Sequence, residues 1–247
     1  NIDALSSLSG TLNGGLAVVS NDVLTNIDAF NGITEIGHYV DINTNPLLED
    51  IDGLSLVTAI DGMLTFAACP LVTNLDGLSN VTTIRTGIRI FNNATLNDIT
   101  GLDGVTGRVE VVYIENNPSL TSISALSGLT TVLSLFLATN ALTSLTGLEG
   151  LTTLGRLGTY INEPNLTSLN GLANAETSES DLTIFNCTSL TTLGLTSLRT
   201  VSGNLLIHQN PALPQCRVCE LHTQLTTFTG TLTATGNLID TCTETCL

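Results

Sequence analysis

Val40-Asp-Ile42-Asn-Thr-Asn45-Pro46-Leu-Leu48-Glu-Asp-Ile51-Asp-Gly53-Leu54 returns further along the chain, degraded, as Val112-Tyr-Ile114-Glu-Asn-Asn117-Pro118-Ser-Leu120-Thr-Ser-Ile123-Ser-Ala-Leu126. The phrase is one of many copies. A marker residue, Asn or a substitute for it, falls at Asn21, Asn45, Cys69, Asn93, Asn117, Asn140, Glu163 or Pro164, Cys187, Asn210 and Asn237. The period is 23 to 24 residues until a last step of 27. Self-similarity at that fixed length marks a solenoid, in which no rung can bury its apolar face alone and only stacking makes a core.

Within a rung, the residues five and three before the marker are apolar, as in Leu16/Val18, Val40/Ile42, Leu64/Phe66, Ile88/Ile90, Val112/Ile114 and Leu135/Leu137. Alternation with period two predicts a short strand with one buried face, and stacking such strands predicts a parallel sheet of about ten. After the marker, apolar residues recur every third position (Leu48/Ile51/Leu54, Leu120/Ile123/Leu126), which suits tight 3₁₀-like turns. An inward Asn can satisfy the backbone of the turn that follows it, and repetition predicts an internal Asn ladder. Asp28, Asp52 and Asp76 form a column of like charge that could suggest calcium. Later rungs put Thr100, Ser124 and Thr146 there, so the column is read as local side-chain turns.

Two stretches depart from the pattern. In Leu157-Gly-Thr-Tyr160-Ile161-Asn-Glu163-Pro164, either Tyr160 or Ile161 can face inward; Ile161 is preferred, because Pro164-Asn-Leu166 then matches Asn140-Ala-Leu142. The polar segment 173–183, with Glu176, Glu179 and Asp181, predicts a bulged loop.

The 247 residues carry six Arg and no Lys against 22 acidic residues, a net charge of −16. That excludes a basic footprint for nucleic acid and disfavours anionic membranes. No run approaches the roughly 18 to 20 apolar residues of a membrane span. The chain begins at Asn1 without a leader, which reads as a processed or excised segment. Cys69 and Cys187 occupy marker positions five rungs apart, roughly 24 Å at ~4.8 Å per rung, too far to bond. They are expected to be buried free thiols. Cys216, Cys219, Cys242 and Cys246 cluster near the C-terminus as a stapled cap, which implies an oxidising, extracellular or cell-surface setting. Cys216 and Cys242 follow their markers by six and five residues, so stacking predicts the pairs Cys216–Cys242 and Cys219–Cys246.

No converging set of acids, bases or nucleophiles is visible: His38, His208 and His222 lie apart, and Cys216-x-x-Cys219 lacks a strand–helix redox context. No catalytic residue, metal or cofactor is expected. Binding is better supported. The outward positions four before the marker run Ala17, Asp41, Thr65, Arg89, Tyr113, Phe136, Tyr160, Thr183, Leu206, and those two before it include Phe91, Glu115 and Phe185. Exposed aromatics on a flat sheet would make an interface patch, so the candidate binding residues are Arg89, Phe91, Tyr113, Glu115, Phe136, Tyr160 and Phe185.

Over nearly its whole length the chain resembles the leucine-rich-repeat-related L domain of receptor ectodomains and its secreted microbial relatives. The pattern that carries this is L-x-I-x-x-N-P-x-L-x-x-I-x-G-L. The stretch from Asn210 through Cys216 and Cys219 to Cys242 is similar to the end caps of bacterial cell-surface members, where a short helix and a Cys pair close the stack. The resemblance implies a mainly β, right-handed solenoid over 1–213, with a helix-containing, disulfide-stapled cap over 214–247 continuous with it. It also implies extracellular recognition without shared catalytic residues or a shared ligand. The expected partner is a protein or glycan. The alternative is copies of the chain itself, assembled into a filament or surface layer through open strand edges at the N-terminal end.

Overall fold

Two apolar residues flanking one polar residue are satisfied by a strand with one buried face. Each rung places such a strand just ahead of its marker. In the computed structural model, which describes residues 2–155 and 157–240, these segments form one ten-stranded parallel sheet. Its strands are Leu16–Val19, Val40–Asn43, Met63–Ala67, Gly87–Phe91, Gly107–Glu115, Leu129–Ala138, Thr159–Asn162, Leu182–Phe185, Leu205–His208 and Leu232–Thr233. Sheet order follows chain order, and the register brings equivalent residues together: Val40 against Leu64, Ile88 against Val112, Leu135 against Thr159. Ile161 is the inward residue of its strand and is fully buried, as the sequence favoured.

The opposite wall consists of one-turn 3₁₀ helices, including Asp28–Phe30, Asp52–Leu54, Asp76–Leu78, Thr100–Leu102 and Ser124–Leu126. Each is opened by a side chain two residues earlier that accepts its first N–H: Asn26 for Asp28, Asp50 for Asp52, Asn74 for Asp76, Asp98 for Thr100 and Ser122 for Ser124. The acidic column therefore marks the first residue of each turn, while the accepting side chain is the one two residues before it. Stacking it has a cost: burial, then Asp50, Asp76 and Asp28, push the Asp52 carboxyl up. The glycines of this wall answer to close stacking. A Cβ on Gly53 would lie 2.0 Å from the Ile27 carbonyl oxygen, and one on Gly101 1.9 Å from that of Leu75.

Two further parallel sheets of four short strands each line the remaining side. One comprises Gly10–Leu12, Ile33–Ile36, Ala59–Ile60 and Thr83–Ile84, the other Thr153–Leu154, Thr177–Ser178, Thr200–Val201 and Thr227–Phe228. Between them, Gly107–Glu115 and Leu129–Ala138 run on as strands of nine and ten residues. Segment 173–183 does not bulge. Its Thr177–Ser178 pairs in regular register on both sides, because the buried Ser178 hydroxyl is satisfied by the Ser180 carbonyl and a polar residue can then take the inward place.

The marker residues form the ladder. The residue before every marker but Glu163 takes a left-handed conformation (Ser20, Thr44, Ala68, Asn92, Asn116, Thr139, Asn186, Gln209, and Gly236 before Asn237), turning the chain out of the sheet. The marker then points inward. Asn117 Oδ1 accepts the Asn93 backbone N–H at 3.2 Å and Asn93 Nδ2 at 3.1 Å. Asn117 Nδ2 donates to the carbonyls of Ile90 and Glu115 and to Asn140 Oδ1. Glu163, not Pro164, takes the ladder place in its rung, where the left-handed residue is missing. The strand ends at Asn162 and Glu163 follows directly. Buried Cys69 and Cys187 hold two ladder places as free thiols.

The helix Gln215–Gln224 follows Pro214 and buries Val218, Cys219 and Leu221 against the last rungs, while Gln224 Nε2 donates to the carbonyls of Leu195 and Leu198. Cys216 and Cys219 stand on this helix. Cys242 and Cys246, their expected partners, lie outside the described residues.

Asn117→Ala would take the acceptor from the Asn93 backbone N–H and the side-chain donor from the Ile90 carbonyl in a dry interior, while Asn93 Nδ2 keeps the Phe66 and Phe91 carbonyls and the Glu115 carbonyl keeps the Asn92 N–H. Each orphaned buried group costs about 1–3 kcal/mol, partly relieved by relaxation. Denaturant unfolding should show a loss of about 2 kcal/mol or more, whereas the neighbouring surface change Ser119→Ala should stay within about 0.5 kcal/mol.

Candidate functional site

Because the strands stack in register, residues four before the marker form a row along the outer face of the ten-stranded sheet. Arg89 lies beside Tyr113, Tyr113 beside Phe136, and Phe136 beside Tyr160. Residues two before the marker form a second row, with Phe91 beside Glu115 and Phe185 beside His208.

The rings do not stand apart. Tyr113 and Phe136 are stacked with centroids 4.6 Å apart and planes 10° apart, and Phe136 and Tyr160 repeat this at 4.7 Å and 10°. Phe91 meets Tyr113 edge to face at 6.0 Å. The exposed Arg89 guanidinium sits 5.3 Å from the Tyr113 centroid and 5.7 Å from that of Phe91. Each ring is half-buried rather than open. The faces of Phe136 are both occupied by neighbours, so what this ring offers solvent is its edge.

The Tyr113 hydroxyl donates to the Glu115 carboxylate on the same strand. Burial first, then that hydrogen bond and the Glu115 charge, push the phenol up to about 12. Arg89 acts in the opposite sense. It also lowers the carboxyl of Asp41, which burial raises more strongly; Asp41 Oδ1 is buried without a hydrogen-bond partner.

Six of the seven expected residues thus come together: Arg89, Phe91, Tyr113, Glu115, Phe136 and Tyr160. Phe185 does not join the stack. Thr183 follows Tyr160 in the first row, and Phe185 pairs instead with His208 at 4.9 Å. Two residues of this face were not among the candidates. His208 was signalled by its place beside Phe185 in the same row. Tyr39, 46% exposed, stands six before its marker, in a third outward row; a Cβ on the adjoining Gly15 would lie 2.6 Å from its ring.

Among the described residues, no group of three or more His, Cys, Asp or Glu side chains is placed to hold a metal ion. No described helix is long and apolar enough to cross a membrane. His208 packs on Phe185, and His222 lies edge-on to Phe228 at 5.4 Å.

No protein-family model matches the chain, and no curated protein matches it. Among solved structures, the chain is similar to an internalin (inlF) from Listeria monocytogenes strain 4b F2365. The two share 17% identity with a TM-score of 0.38, over 96% of this chain and 83% of that one. The assignment as a leucine-rich-repeat-like solenoid rests on the register and ladder described above.

Spectrophotometric titration of the tyrosines, with Tyr113→Phe to identify the transition, should place the Tyr113 phenol at about 12. Glu115→Gln should bring it down while leaving it above the ordinary value of about 10, since burial is the larger cause.

Proposed function

We propose that the chain is a non-catalytic, extracytoplasmic recognition module that engages a protein partner through the outer face of its ten-stranded sheet. The centre of the contact is Arg89, Phe91, Tyr113, Glu115, Phe136 and Tyr160. One observation carries the choice of partner: the ring faces of Tyr113, Phe136 and Tyr160 are turned on one another. A saccharide held by an aromatic side chain lays its C–H face on an exposed ring face, and here the inner faces of the stack are taken. A comb of ring edges with an Arg at one end instead fits the packed apolar ridges of a protein surface, where aromatic and Arg residues dominate binding energy.

The cap supports the extracytoplasmic part of this reading. Four cysteines in the last 32 residues suit an oxidising compartment. The proposed connectivity is Cys216–Cys242 and Cys219–Cys246. Non-reducing peptide mapping should recover these two bonds, and a bond from either helix cysteine to Cys69 or Cys187 would overturn the cap.

Probing the purified chain against protein and glycan arrays tests the partner class. Protein ligands are expected, with affinity weakened by about 1–3 kcal/mol in Phe136→Ala and in Arg89→Ala. Phe136→Ala also removes two stacked ring contacts and should lower stability by about 1–3 kcal/mol, so affinity is to be measured on variant shown to be folded. Glycan ligands, or protein ligands bound equally well by both variants, would place recognition elsewhere.

A further inference from the structure

Apart from Cys69, whose thiol turns to the Ala67 carbonyl of its own rung, the inner ladder places filled by Asn or Cys meet two demands. Each accepts N–H groups from the marker of the rung before, and it donates to the carbonyl of the strand residue three before that earlier marker. Asn93 donates to Phe66, Asn117 to Ile90, Asn140 to Ile114, Asn210 to Ile184 and Asn237 to Ile207. A carboxamide does both with its two different atoms. Cys187 does both with one thiol, taking the Glu163 N–H at 3.4 Å and facing the Ile161 carbonyl at 3.7 Å.

Glu163 breaks the pattern, because an ionised carboxylate accepts and cannot donate. Its oxygens accept Asn140 Nδ2 at 2.6 Å and the Asn140 backbone N–H at 3.1 Å, with the Leu142 N–H as a third donor. The carbonyl that the pattern assigns to it is that of Leu137. Its residue is 0% exposed, and the absent left-handed residue draws this position one step closer to the strand, which the extra methylene of Glu offsets.

We infer that below neutral pH Glu163 is carried in the folded chain as a neutral carboxylic acid, its hydroxyl supplying the donor that the Asn rungs supply from an amide and Cys187 from a thiol, so that the middle of the ladder is stitched by a proton. The surroundings agree. The rung before presents Asn140 and Leu142, the rung after presents Cys187, and among the described residues neither offers a cation. The burial that raises the Cys187 thiol to about 11 also pushes the Glu163 carboxyl up to about 7, against the three N–H groups that pull it down.

The sign of the pH effect follows. Between the ordinary carboxyl range and about 7, the unfolded chain has released this proton and the folded chain still holds it. Stability from this site is complete at pH 4 and is lost as pH rises through about 7. Tyr160, the last ring of the stack, lies on the strand that Glu163 terminates, so the joint sits at one end of the aromatic row.

Carbon-13 NMR of the glutamate carboxyls in the full chain reads the proton directly. One carboxyl is expected to titrate near neutral pH and to be absent from Glu163→Gln. In parallel, unfolding of the two proteins is followed from pH 4.5 to 8. The folding constant of the wild type should fall relative to Glu163→Gln, on the order of a hundredfold across the range, because Gln keeps both acceptor and donor at every pH. General acidic repulsion acts on both proteins and cancels in the comparison. If every glutamate carboxyl titrates in the ordinary range, or the two stability profiles run parallel, Glu163 is ionised and the inference fails. Should Glu163→Gln not fold, the carboxyl titration of the wild type decides alone.

Discussion

A rung that turns inside an apolar stack must find partners for the backbone groups at its own corner, because water cannot reach them. That requirement falls on a single inward side chain per rung, which must accept and donate at once. Asn does so with least strain, and the left-handed residue before it aims it there. The rest of the architecture hangs on this corner. The strand before it can end without orphaned groups, and the buried apolar triplets after it can begin. Cys187 answers the same two demands with a thiol, and Cys69, which accepts from Asn45 and donates to the Ala67 carbonyl of its own rung, also belongs to the ladder.

The sequence reads best where the period is strong. Leu or Ile at every second position predicts the ten strands, spacing by three predicts the 3₁₀ wall, and the preference for Ile161 over Tyr160 holds because only Ile161 preserves the inward set. The two lateral sheets were not legible. Pairs such as Ala59–Ile60 and Thr83–Ile84 are two residues long, below the length at which alternation means anything, and only stacking makes them strands. The left-handed corner was hidden differently. Its occupants are Ser, Thr, Ala, Asn, Gln and, once, Gly, residues with little in common except that the fold demands the same backbone of each. The absence of that residue before Glu163 blurred the choice between Glu163 and Pro164.

The aromatic row was legible as a row, because a straight register sends equivalent positions to one line. Its internal geometry was not. A parallel sheet repeats every ~4.8 Å, which is close to the separation of stacked rings, so aromatics at the same place on consecutive strands lie face on face. Composition counts such rings as exposed apolar surface, while stacking withdraws their faces and leaves edges. Phe185 drops out for the same reason: Thr183 occupies its strand's place in the first row, and a stack cannot continue across a strand without a ring.

Charge divides the molecule in a way that bears on how a partner would arrive and how it would be held. Of the −16 total, the two outward rows of the sheet hold only Asp41, Arg89 and Glu115, a net of −1. The remaining negative charge therefore lies off these rows. Such a distribution draws a cationic partner from a distance and accelerates encounter at low salt, but supplies little orientation once contact is made. Orientation falls to the row itself, where the Arg89 guanidinium lies against Tyr113 and Phe91 and the Tyr113 hydroxyl is tied to Glu115. Those ties hold the rings in place before any partner binds, so less side-chain freedom remains to be lost on contact. The same stacking that removes the ring faces from solvent thus makes their edges a rigid surface, and rigidity of that kind favours a partner whose own surface is already formed.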